Sequence, residues 1–288
     1  MKVVKNRIHP LIEKGEISLS AGVYDVLSAK LAEKVGFKTI VVSGYAVAAS
    51  LLGEPDLGLL TKTEVLEVAR RILGAVSVPV VVDCDTGYGG ALNVMQLVHE
   101  LIAMKAAGML LEDQTWPKRC GHMRGKSVIP AEEHAQKIRA AVEARGRASL
   151  LIVARTDAIA THGVEEAIRR GNLYKQAGAD VIFVEAPGSK EEMRRIVSGI
   201  KAPVTANMIE GGKTPIMTLA ELKEIGYVGV GYPLTAVLSA ARAMESALSH
   251  LVEKGDSLAL AGKLMSFDEF TSVVGLEAKL RLDEKYRT

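Results

Sequence analysis

One strand–helix–strand unit can be read directly from residues 150–185, LLIVARTDAIATHGVEEAIRRGNLYKQAGADVIFVE. Its two ends, Leu150–Arg155 and Val181–Glu185, are short, mostly apolar runs rich in β-branched residues, as buried strands are. Between them, Val164–Ala177 has apolar residues three or four positions apart, which indicates a helix, and Gly178 after it favours a helix C-terminus. Two strands joined in this way are expected to run parallel in one sheet.

The same unit recurs along the chain. The other predicted strands are Ile17–Ala21, Thr39–Ser43, Val78–Asp83, Gly108–Glu112, Pro203–Asn207 and Val228–Tyr232, and the other predicted helices are Thr63–Leu73, Asn93–Ala106, Ala131–Arg145, Lys190–Ser198 and Thr218–Glu224. Eight strands that alternate with helices predict an α/β fold, a closed (β/α)8 barrel of the TIM type. A doubly wound open sheet is the rival, but residues 20–25, SAGVYD, are not the glycine-rich fingerprint of a dinucleotide site.

The chain is expected to form a single domain over residues 1–288, because no Pro/Ser-rich linker divides it. The residues from about 242 to 288 exceed what one last barrel helix needs, and Phe267–Leu282 is amphipathic. We therefore expect a C-terminal helical extension that packs in the interface of a homo-oligomer.

Charge and composition argue against several classes of partner. The 36 basic and 34 acidic residues give a formal net charge of +2, which favours neither nucleic acid nor a membrane surface. Residues 1–10 lack the apolar run of a signal peptide, and no apolar run reaches the roughly 18 residues of a spanning helix. We expect a cytoplasmic protein whose cysteines stay reduced, with Cys84 in the core.

Polar side chains lie at or just after the ends of the predicted strands. They are Ser43, Asp83 with Asp85, Glu112 with Asp113, Arg155 with Asp157, Glu185 and Asn207. In a barrel these ends meet at one mouth, which is where active sites lie. Carboxylates gathered there repel one another, and oxygen ligands without His or Cys at metal-ligand spacing favour a hard ion. The sequence therefore predicts a Mg²⁺ site at the mouth, with Mn²⁺ as a substitute.

A cysteine flanked by basic residues follows the fourth predicted strand, in Lys118-Arg119-Cys120-Gly121-His122. Neighbouring cations lower the pKa of a thiol, so Cys120 is expected to be a tunable acid on an exposed loop. The alternative is a solvated basic turn with an incidental cysteine.

Taken together, these motifs resemble the isocitrate lyase and phosphoenolpyruvate mutase superfamily. The matching strings are Ser43-Gly44, Pro55-Asp56-Leu57-Gly58, Asp83-Cys84-Asp85-Thr86-Gly87-Tyr88-Gly89, Glu112-Asp113-Gln114, Lys118-Arg119-Cys120-Gly121-His122, Ala154-Arg155-Thr156-Asp157 and Asn207-Met208. They occur in order between about residues 8 and 240. The cysteine string after Glu-Asp-Gln is specific to the lyase branch of that superfamily.

The resemblance implies a Mg²⁺-dependent lyase that breaks a carbon–carbon bond of a small 2-hydroxy dicarboxylate. Asp83 would contact the ion, with Asp56, Asp85 and Glu112 around it through water. The substrate would be held by Ser43, Gly44, Tyr45, Cys120, Gly121, Arg155, Glu185 and Asn207. After loss of the 2-hydroxyl proton and cleavage of the C2–C3 bond, Cys120 would protonate the enolate-type intermediate. The other implied catalytic residues are Lys118, Arg119, His122 and Glu112.

The substrate class within the branch depends on a few positions. Methylisocitrate lyases resemble the chain, but they place arginines where it has Leu238 and Phe267, so a third carboxylate would stay unpaired. Residues 210–215, EGGKTP, together with Ser43-Gly44-Tyr45, resemble dimethylmalate lyases and oxaloacetate hydrolase-like proteins. We therefore expect 2,3-dimethylmalate-type cleavage to pyruvate or another 2-oxo acid and a short carboxylate.

Several alternatives stay open at this point. They are methylisocitrate cleavage to pyruvate and succinate, oxaloacetate hydrolysis or decarboxylation, carbon–phosphorus mutase chemistry, and a catalytically silent barrel that acts as a binding protein. The resemblance further implies a homotetramer in which a late helix swaps between neighbours.

Overall fold

The chain folds into a closed barrel of eight parallel strands, and the computed structural model describes residues 15–287. The strands follow one another around the barrel in chain order, and the last pairs with the first. They are β1 (Ser18–Val23), β2 (Thr39–Val42), β3 (Val80–Asp83), β4 (Gly108–Glu112), β5 (Leu151–Thr156), β6 (Val181–Val184), β7 (Val204–Asn207) and β8 (Gly229–Tyr232). The predicted α/β barrel is therefore confirmed. The expectation about a signal peptide in residues 1–10 lies outside the described residues.

The strand ends differ from the predicted ones by at most two residues, and two of the differences have a clear reason. β1 continues to Val23 because that residue pairs with Val42 of β2. β3 begins at Val80 rather than Val78, because the intervening Pro79 has no N–H to donate to the sheet.

Helices lie between the strands and after them. They are α1 (Val26–Lys34), α2 (Gly44–Val47), α3 (Lys62–Leu73), α4 (Ala91–Ala103), α5 (Ala131–Arg145), α6 (Ile159–His162), α7 (Val164–Gln176), α8 (Lys190–Gly199), α9 (Leu219–Ile225), α10 (Thr235–Lys254), α11 (Phe267–Val274) and α12 (Leu276–Tyr286). All six helices predicted from helical spacing are present. Side chains set some of their first residues: Thr61 and Glu64 bond each other's backbone N–H at the start of α3, as Thr218 and Glu221 do at α9.

Alternate residues of each strand face opposite sides of the barrel wall. On β3 and β5, Val82 and Ile152 pack outward in the large core between sheet and helices. Their neighbours Val81 and Val153 pack inside the barrel with Phe183. Most strand residues are apolar because both faces of the wall are covered.

The interior of the barrel is lined unevenly. Apolar side chains of β3 to β6 lie on one part of its wall, while β1, β2, β7 and β8 add small or hydroxyl-bearing residues such as Ser18, Thr39 and Gly229. A cavity of about 120 Å³ results, and it is also lined by Asp83 and Arg155 at the C-terminal ends of their strands.

The C-terminal helices leave most of their surface uncovered in the single chain. α10, α11 and α12 contain no buried residue. Large apolar side chains are exposed along all three, among them Leu248, Val252, Phe267 and Leu280. Within residues 15–287, no helix is both long enough and apolar enough to cross a membrane.

Candidate active site

Acidic and basic side chains are gathered in the mouth of the barrel, where the C-terminal ends of the strands meet. The acids are Asp56, Asp83, Asp85, Glu112, Asp157 and Glu185, and the bases are Lys118, Lys126 and Arg155. All nine are buried or half-buried. Six carboxyl groups against three permanent cations leave an excess of acids over bases, and solvent screens their charges poorly. Such a mouth favours binding a cation before it binds an anion.

The carboxylates of Asp83 and Asp85 converge on the first residue of α2. A Cβ placed on Gly44 would lie 3.1 Å from Asp83 Oδ2 and 3.4 Å from Asp85 Oδ1. Asp85 has a left-handed backbone, with φ of 46°, and its N–H donates to Asp83 Oδ1 at 3.2 Å. The turn after β3 therefore brings two acids to one point, and a residue without a side chain at position 44 leaves room for them.

Lys118 lies among these acids rather than in an exposed basic turn. Its ammonium is 2.7 Å from Asp85 Oδ1 and also donates to Asp56 Oδ1. Burial by itself would lower the pKa of Lys118, but the carboxylates around it outweigh burial and raise that pKa well above its usual value. Burial raises the pKa of Asp85 to about 6, against the opposing effect of Lys118. Lys118 therefore supplies part of the positive charge that offsets these acids, in addition to the divalent ion predicted from the sequence.

Arg155 is the second cationic centre of the mouth. Its guanidinium makes two bonds to Asp157, at 2.8 and 3.1 Å, and lies 2.9 Å from Glu185 Oε2 and 3.3 Å from Glu112 Oε2. It also stacks over the ring of Phe183 at 5.4 Å. One side chain at the end of β5 thus holds acids from β4 and from just after β6.

The three acids around Arg155 do not ionise alike. Burial works against ionisation of Asp157, but Arg155 and Lys126 outweigh it and lower the pKa of Asp157 to about 2. The pKa of Glu185 is also lowered, since Arg155 and the His122 imidazole, whose Nε2 lies 3.2 Å from Glu185 Oε1, outweigh its burial. The pKa of Glu112 is instead raised well above its usual value, because burial prevails over the attraction of Arg155.

The cysteine lies in a loop of residues 115–128, here named the cysteine loop, which covers the mouth. At its base, Thr115 N–H donates to Ser127 O at 2.9 Å. Further along, Cys120 N–H donates to Asp56 O at 3.1 Å, and His122 Nε2 lies 3.2 Å from Glu185 Oε1. The loop is therefore bonded to the mouth at Cys120 and contacts it again at His122.

The thiol of Cys120 is half-buried and stays protonated. Burial raises its pKa to about 11, and the charges of Asp56 and Glu185 act in the same direction. The predicted lowering of this pKa was wrong. Lys118 is paired with acids, and the exposed Arg119 turns away and donates to Arg124 O at 3.1 Å. The cationic residues next to Cys120 in sequence therefore do not determine the electrostatic environment of its thiol.

The remaining predicted binding residues lie around the same mouth. Ser43 caps α2 by accepting from Ala46 N–H, and it lines the barrel cavity together with Asn207. Tyr45 is half-buried on the first turn of α2. Gly121 is pressed against Glu185, since a Cβ there would lie 2.3 Å from Glu185 Cγ. Of the predicted catalytic residues, Arg119 is the one whose side chain is directed to the surface.

One predicted mouth residue points the other way. Asp113 follows Glu112 and is turned into the wall, where it accepts bonds from Thr156 Oγ1 at 2.7 Å, Arg170 Nη1 at 3.0 Å and Tyr174 OH at 2.7 Å. The expectation that Asp113 faces the mouth was wrong, because successive strand residues face opposite sides. It supports the mouth indirectly, through a 2.9 Å bond from Asp157 N–H.

Lys126 was missed by the sequence analysis. Its ammonium donates to Gly121 O and lies 2.7 Å from Asp157 Oδ1, with its side chain only 1% exposed. Nothing in the sequence distinguishes this lysine from the exposed Arg124 two residues earlier.

The donor set of the mouth fits a hard divalent ion. Between residues 15 and 287, no three His, Cys, Asp or Glu side chains are close enough to form a ready metal cage. Mg²⁺ commonly uses only one or two carboxylates and keeps several waters, so a looser oxygen-rich site suits it. The buried Oε1 of Glu112 has no hydrogen-bond partner within the described part of the chain, which is consistent with an acceptor facing such water.

Comparison with known proteins settles the family. The sequence model of the phosphoenolpyruvate phosphomutase family matches residues 8–252. The chain belongs to this family. The motifs of the sequence predicted membership of the isocitrate lyase and phosphoenolpyruvate mutase superfamily, and this prediction is confirmed.

Relatives of this family member include named lyases. It is 51% identical to the petal death protein of Dianthus caryophyllus over 284 residues, which cover 98% of this chain and 89% of the relative. It is 40% identical to the 2,3-dimethylmalate lyase of Eubacterium barkeri over 282 residues, covering 98% of each. The prediction that the chain is an enzyme of the lyase type is confirmed.

Solved structures of relatives share the whole fold. Oxaloacetate acetylhydrolase in complex with the inhibitor 3,3-difluorooxalacetate superimposes with a TM-score of 0.92 at 33% identity, covering 97% of this chain and 95% of the other. Phosphonopyruvate hydrolase in complex with oxalate and Mg²⁺ gives a TM-score of 0.88 at 30% identity and covers 98% of each chain. One of these relatives thus binds Mg²⁺ with oxalate, and the other binds 3,3-difluorooxalacetate.

Proposed function

We propose that this protein is a Mg²⁺-dependent carbon–carbon lyase. Its substrate is a 2-hydroxy dicarboxylate of the 2,3-dimethylmalate type, which it cleaves to pyruvate or another 2-oxo acid and a short carboxylate. The observation that carries this proposal is the mouth itself, where an excess of buried carboxylates lies beside a protonated thiol on a covering loop.

The excess negative charge supports a bound divalent cation. A dianionic substrate would meet a mouth with more acids than bases, and its binding would be opposed unless a cation offset that charge. Asp83 would hold Mg²⁺ or Mn²⁺, with Asp56, Asp85 and Glu112 around it through water. The ion, when bound, supplies Lewis-acid stabilisation of negative oxygen.

Cationic and polar groups of the mouth then bind and orient the substrate. Arg155 is suited to a substrate carboxylate because its planar guanidinium can make paired bonds. Around it the remaining binding groups are Ser43, Gly44, Tyr45, Gly121, Glu185 and Asn207. Holding the reactant in one geometry between these groups removes much of the entropic barrier to cleavage.

Cys120 is the proton donor in this proposal. A base in the mouth takes the 2-hydroxyl proton, the oxygen left at C2 becomes the carbonyl of the 2-oxo acid as the C2–C3 bond breaks, and the electron pair of that bond stays on the departing fragment as an enolate-type carbanion. A thiol whose pKa is raised to about 11 carries its proton at neutral pH, so it can protonate that carbon. Lys118 offsets the charge of the nearby acids. Arg119 belongs to the same cysteine loop, and His122 orients that loop against Glu185.

Two side chains support a dicarboxylate over a tricarboxylate. At the positions where methylisocitrate lyases carry arginines, the chain has Leu238 on α10 and Phe267 on α11. A third carboxylate would find no guanidinium there, and an unpaired buried charge is costly.

The working form in this proposal is a cytoplasmic homotetramer in which a C-terminal helix swaps between neighbours. α10, α11 and α12 bury none of their residues within one chain, although they carry many large apolar side chains. A helix with an exposed apolar face gains stability when another surface covers it. A second copy of the chain, with residues 242–288 in the interface, is the occupant we propose.

The proposal is tested with a panel of 2,3-dimethylmalate, citramalate, methylisocitrate and oxaloacetate, with 2-oxo acid release or oxaloacetate loss as the signal. We expect turnover of 2,3-dimethylmalate with Mg²⁺ and none after chelation of divalent ions. Oxaloacetate is included because of the structural likeness to oxaloacetate acetylhydrolase. Preferred turnover of methylisocitrate, or turnover of none of the four together with no Mg²⁺ binding by calorimetry, would overturn it.

A further inference from the structure

A buried lysine of the cysteine loop has no part in the proposed chemistry. The side chain of Lys126 is 1% exposed, so it is shielded from solvent almost completely. Its ammonium bonds two groups, the carbonyl of Gly121 within the loop and Oδ1 of Asp157 just after β5. We propose that Lys126 is a positioning residue that keeps the cysteine loop closed and links its position to that of Arg155.

The first half of this proposal rests on where the bond to the loop is made. Gly121 directly follows Cys120, so Lys126 holds the carbonyl of the residue next to the thiol. Charge-assisted hydrogen bonds are stronger than neutral ones, and this one is removed from water. Fixing the Gly121 carbonyl fixes the backbone next to the residue that carries the thiol.

The second half rests on what Asp157 does. Asp157 Oδ1 accepts from both Lys126 and Arg155, and its Oδ2 accepts from Arg155 again. Its N–H is held by Asp113 at 2.9 Å, which anchors it to the wall. Lys126 is therefore bonded to the carboxylate that orients the guanidinium of Arg155. Opening of the loop would separate Lys126 from Asp157 and leave that acid with one cationic partner fewer.

Other contacts of the loop act at different places. The side chain of Gln114 clamps the backbone of Arg119 before the cysteine, and Lys213 N–H donates to His122 Nδ1 after it. These bonds tie the loop to its own base and to the segment after β7. The bond from Lys126 to Asp157 ties it to the strand that carries Arg155, which is the link needed to couple loop closure with the binding group.

The test measures loop opening through the reactivity of Cys120. Cys84 is completely buried, so in folded protein a small alkylating reagent reports on Cys120, and mass spectrometry separates the two sites. We compare Lys126→Met, which removes the charge at similar length, with Arg124→Met, which removes an exposed charge of the same loop. We expect alkylation of Cys120 to be at least about tenfold faster in Lys126→Met and unchanged in Arg124→Met.

Two further variants keep the measurement decisive. Lys126→Gln, which keeps a donor without the charge, should also speed alkylation, and Lys126→Arg, which keeps the charge and offers several donors, should stay closer to the parent protein. Loss of a nearby cation would by itself make the thiol less reactive, so faster alkylation reports opening rather than a change in acidity. Unchanged alkylation in both folded Lys126→Met and Lys126→Gln would overturn the proposal.

Measuring substrate turnover gives a second test of the role of Lys126, and this test rests on the proposed function. With the substrate that the panel identifies, Lys126→Met should lower kcat by about 10²-fold, as misplacement of a reacting group does, with a smaller change in KM. The alkylation result does not depend on any substrate. A wrong substrate assignment and a wrong role for Lys126 are therefore told apart.

Discussion

Lys118 Nζ lies 2.7 Å from Asp85 Oδ1 at the mouth of the barrel, with the two side chains 4% and 2% exposed. The same ammonium bonds Asp56, so one lysine offsets two buried acids. An ion pair of this kind stabilises a fold chiefly in the sense that removing one partner leaves the other charged and buried.

Replacing Lys118 should therefore destabilise the protein. We expect Lys118→Met to lower the free energy of unfolding by about 3–5 kcal/mol, because Asp56 and Asp85 lose their shared cation. Urea unfolding followed by circular dichroism measures the change. The matched control is Lys38→Met, an exposed lysine between α1 and β2, which should leave the midpoint unchanged. Equal midpoints for the two variants would mean that Lys118 does not offset these acids.

Replacing Cys120 should remove catalysis without disturbing the fold. We expect Cys120→Ser to lower kcat by about 10²–10⁴-fold, the range for loss of a general acid, because a serine hydroxyl is a far weaker acid than a thiol. Release of the 2-oxo acid product is the measurement. Cys84→Ala, which changes a buried cysteine outside the mouth, serves as the control and should keep most of the activity. Full activity of Cys120→Ser would exclude the thiol as the proton donor.

A buried histidine should make the fold sensitive to acid. Burial, followed by the charges of Lys137 and Arg170, lowers the pKa of His134 from 6.5 to about 3. Between those values the unfolded chain binds a proton at this site and the folded chain does not. The contribution of His134 to stability is thus complete above pH 6.5 and falls as the pH drops, by about 1.4 kcal/mol per pH unit.

Comparison of variants isolates this contribution from other groups that titrate in acid. Unfolding free energies measured between pH 7 and pH 4 should show a shallower loss for His134→Gln than for the parent protein, by about that slope. His99→Gln, at an exposed position of α4, should show the parent slope. Parallel curves for all three proteins would refute the prediction.

The exposed apolar face of the C-terminal helices should control assembly. Leu248 lies on α10 and is 61% exposed in the single chain. We expect Leu248→Glu to shift the protein to smaller species in light scattering coupled to size exclusion, since a buried unpaired charge opposes association. Leu92→Glu, at an exposed position of α4, is the control and should leave the assembly intact. A parent protein that is already monomeric would contradict the proposed tetramer.

Much of this site was predictable because its position depends on the regular spacing of apolar residues along the chain. Eight apolar runs separated by helical stretches determined the barrel, and a barrel brings its strand ends together whatever their sequence distance. Asp83, Glu112 and Arg155 could be placed at one mouth for that reason alone. The sequence motif around Cys120 resembled the lyase branch of the superfamily and so predicted a lyase, which the matched relatives then supported.

Side-chain direction and charge pairing were not predictable in the same way. Asp113 looked equivalent to Glu112 in the sequence but faces the wall, and Arg119 looked equivalent to Lys118 but faces solvent. Loop residues follow no regular repeat from which the direction of a side chain could be predicted. The burial of Lys126 against Asp157 therefore had no signal in the sequence.

The sequence alone therefore determined the number and order of strands, the mouth and the kinds of groups gathered there. The folded chain decided which cation offsets which acid, and it reversed the expected effect on the pKa of Cys120. The physical reason is that a charge interaction depends on distance and on exclusion of water. Both are set by residues far apart in the chain, such as Lys118 and Asp56, rather than by neighbours in sequence.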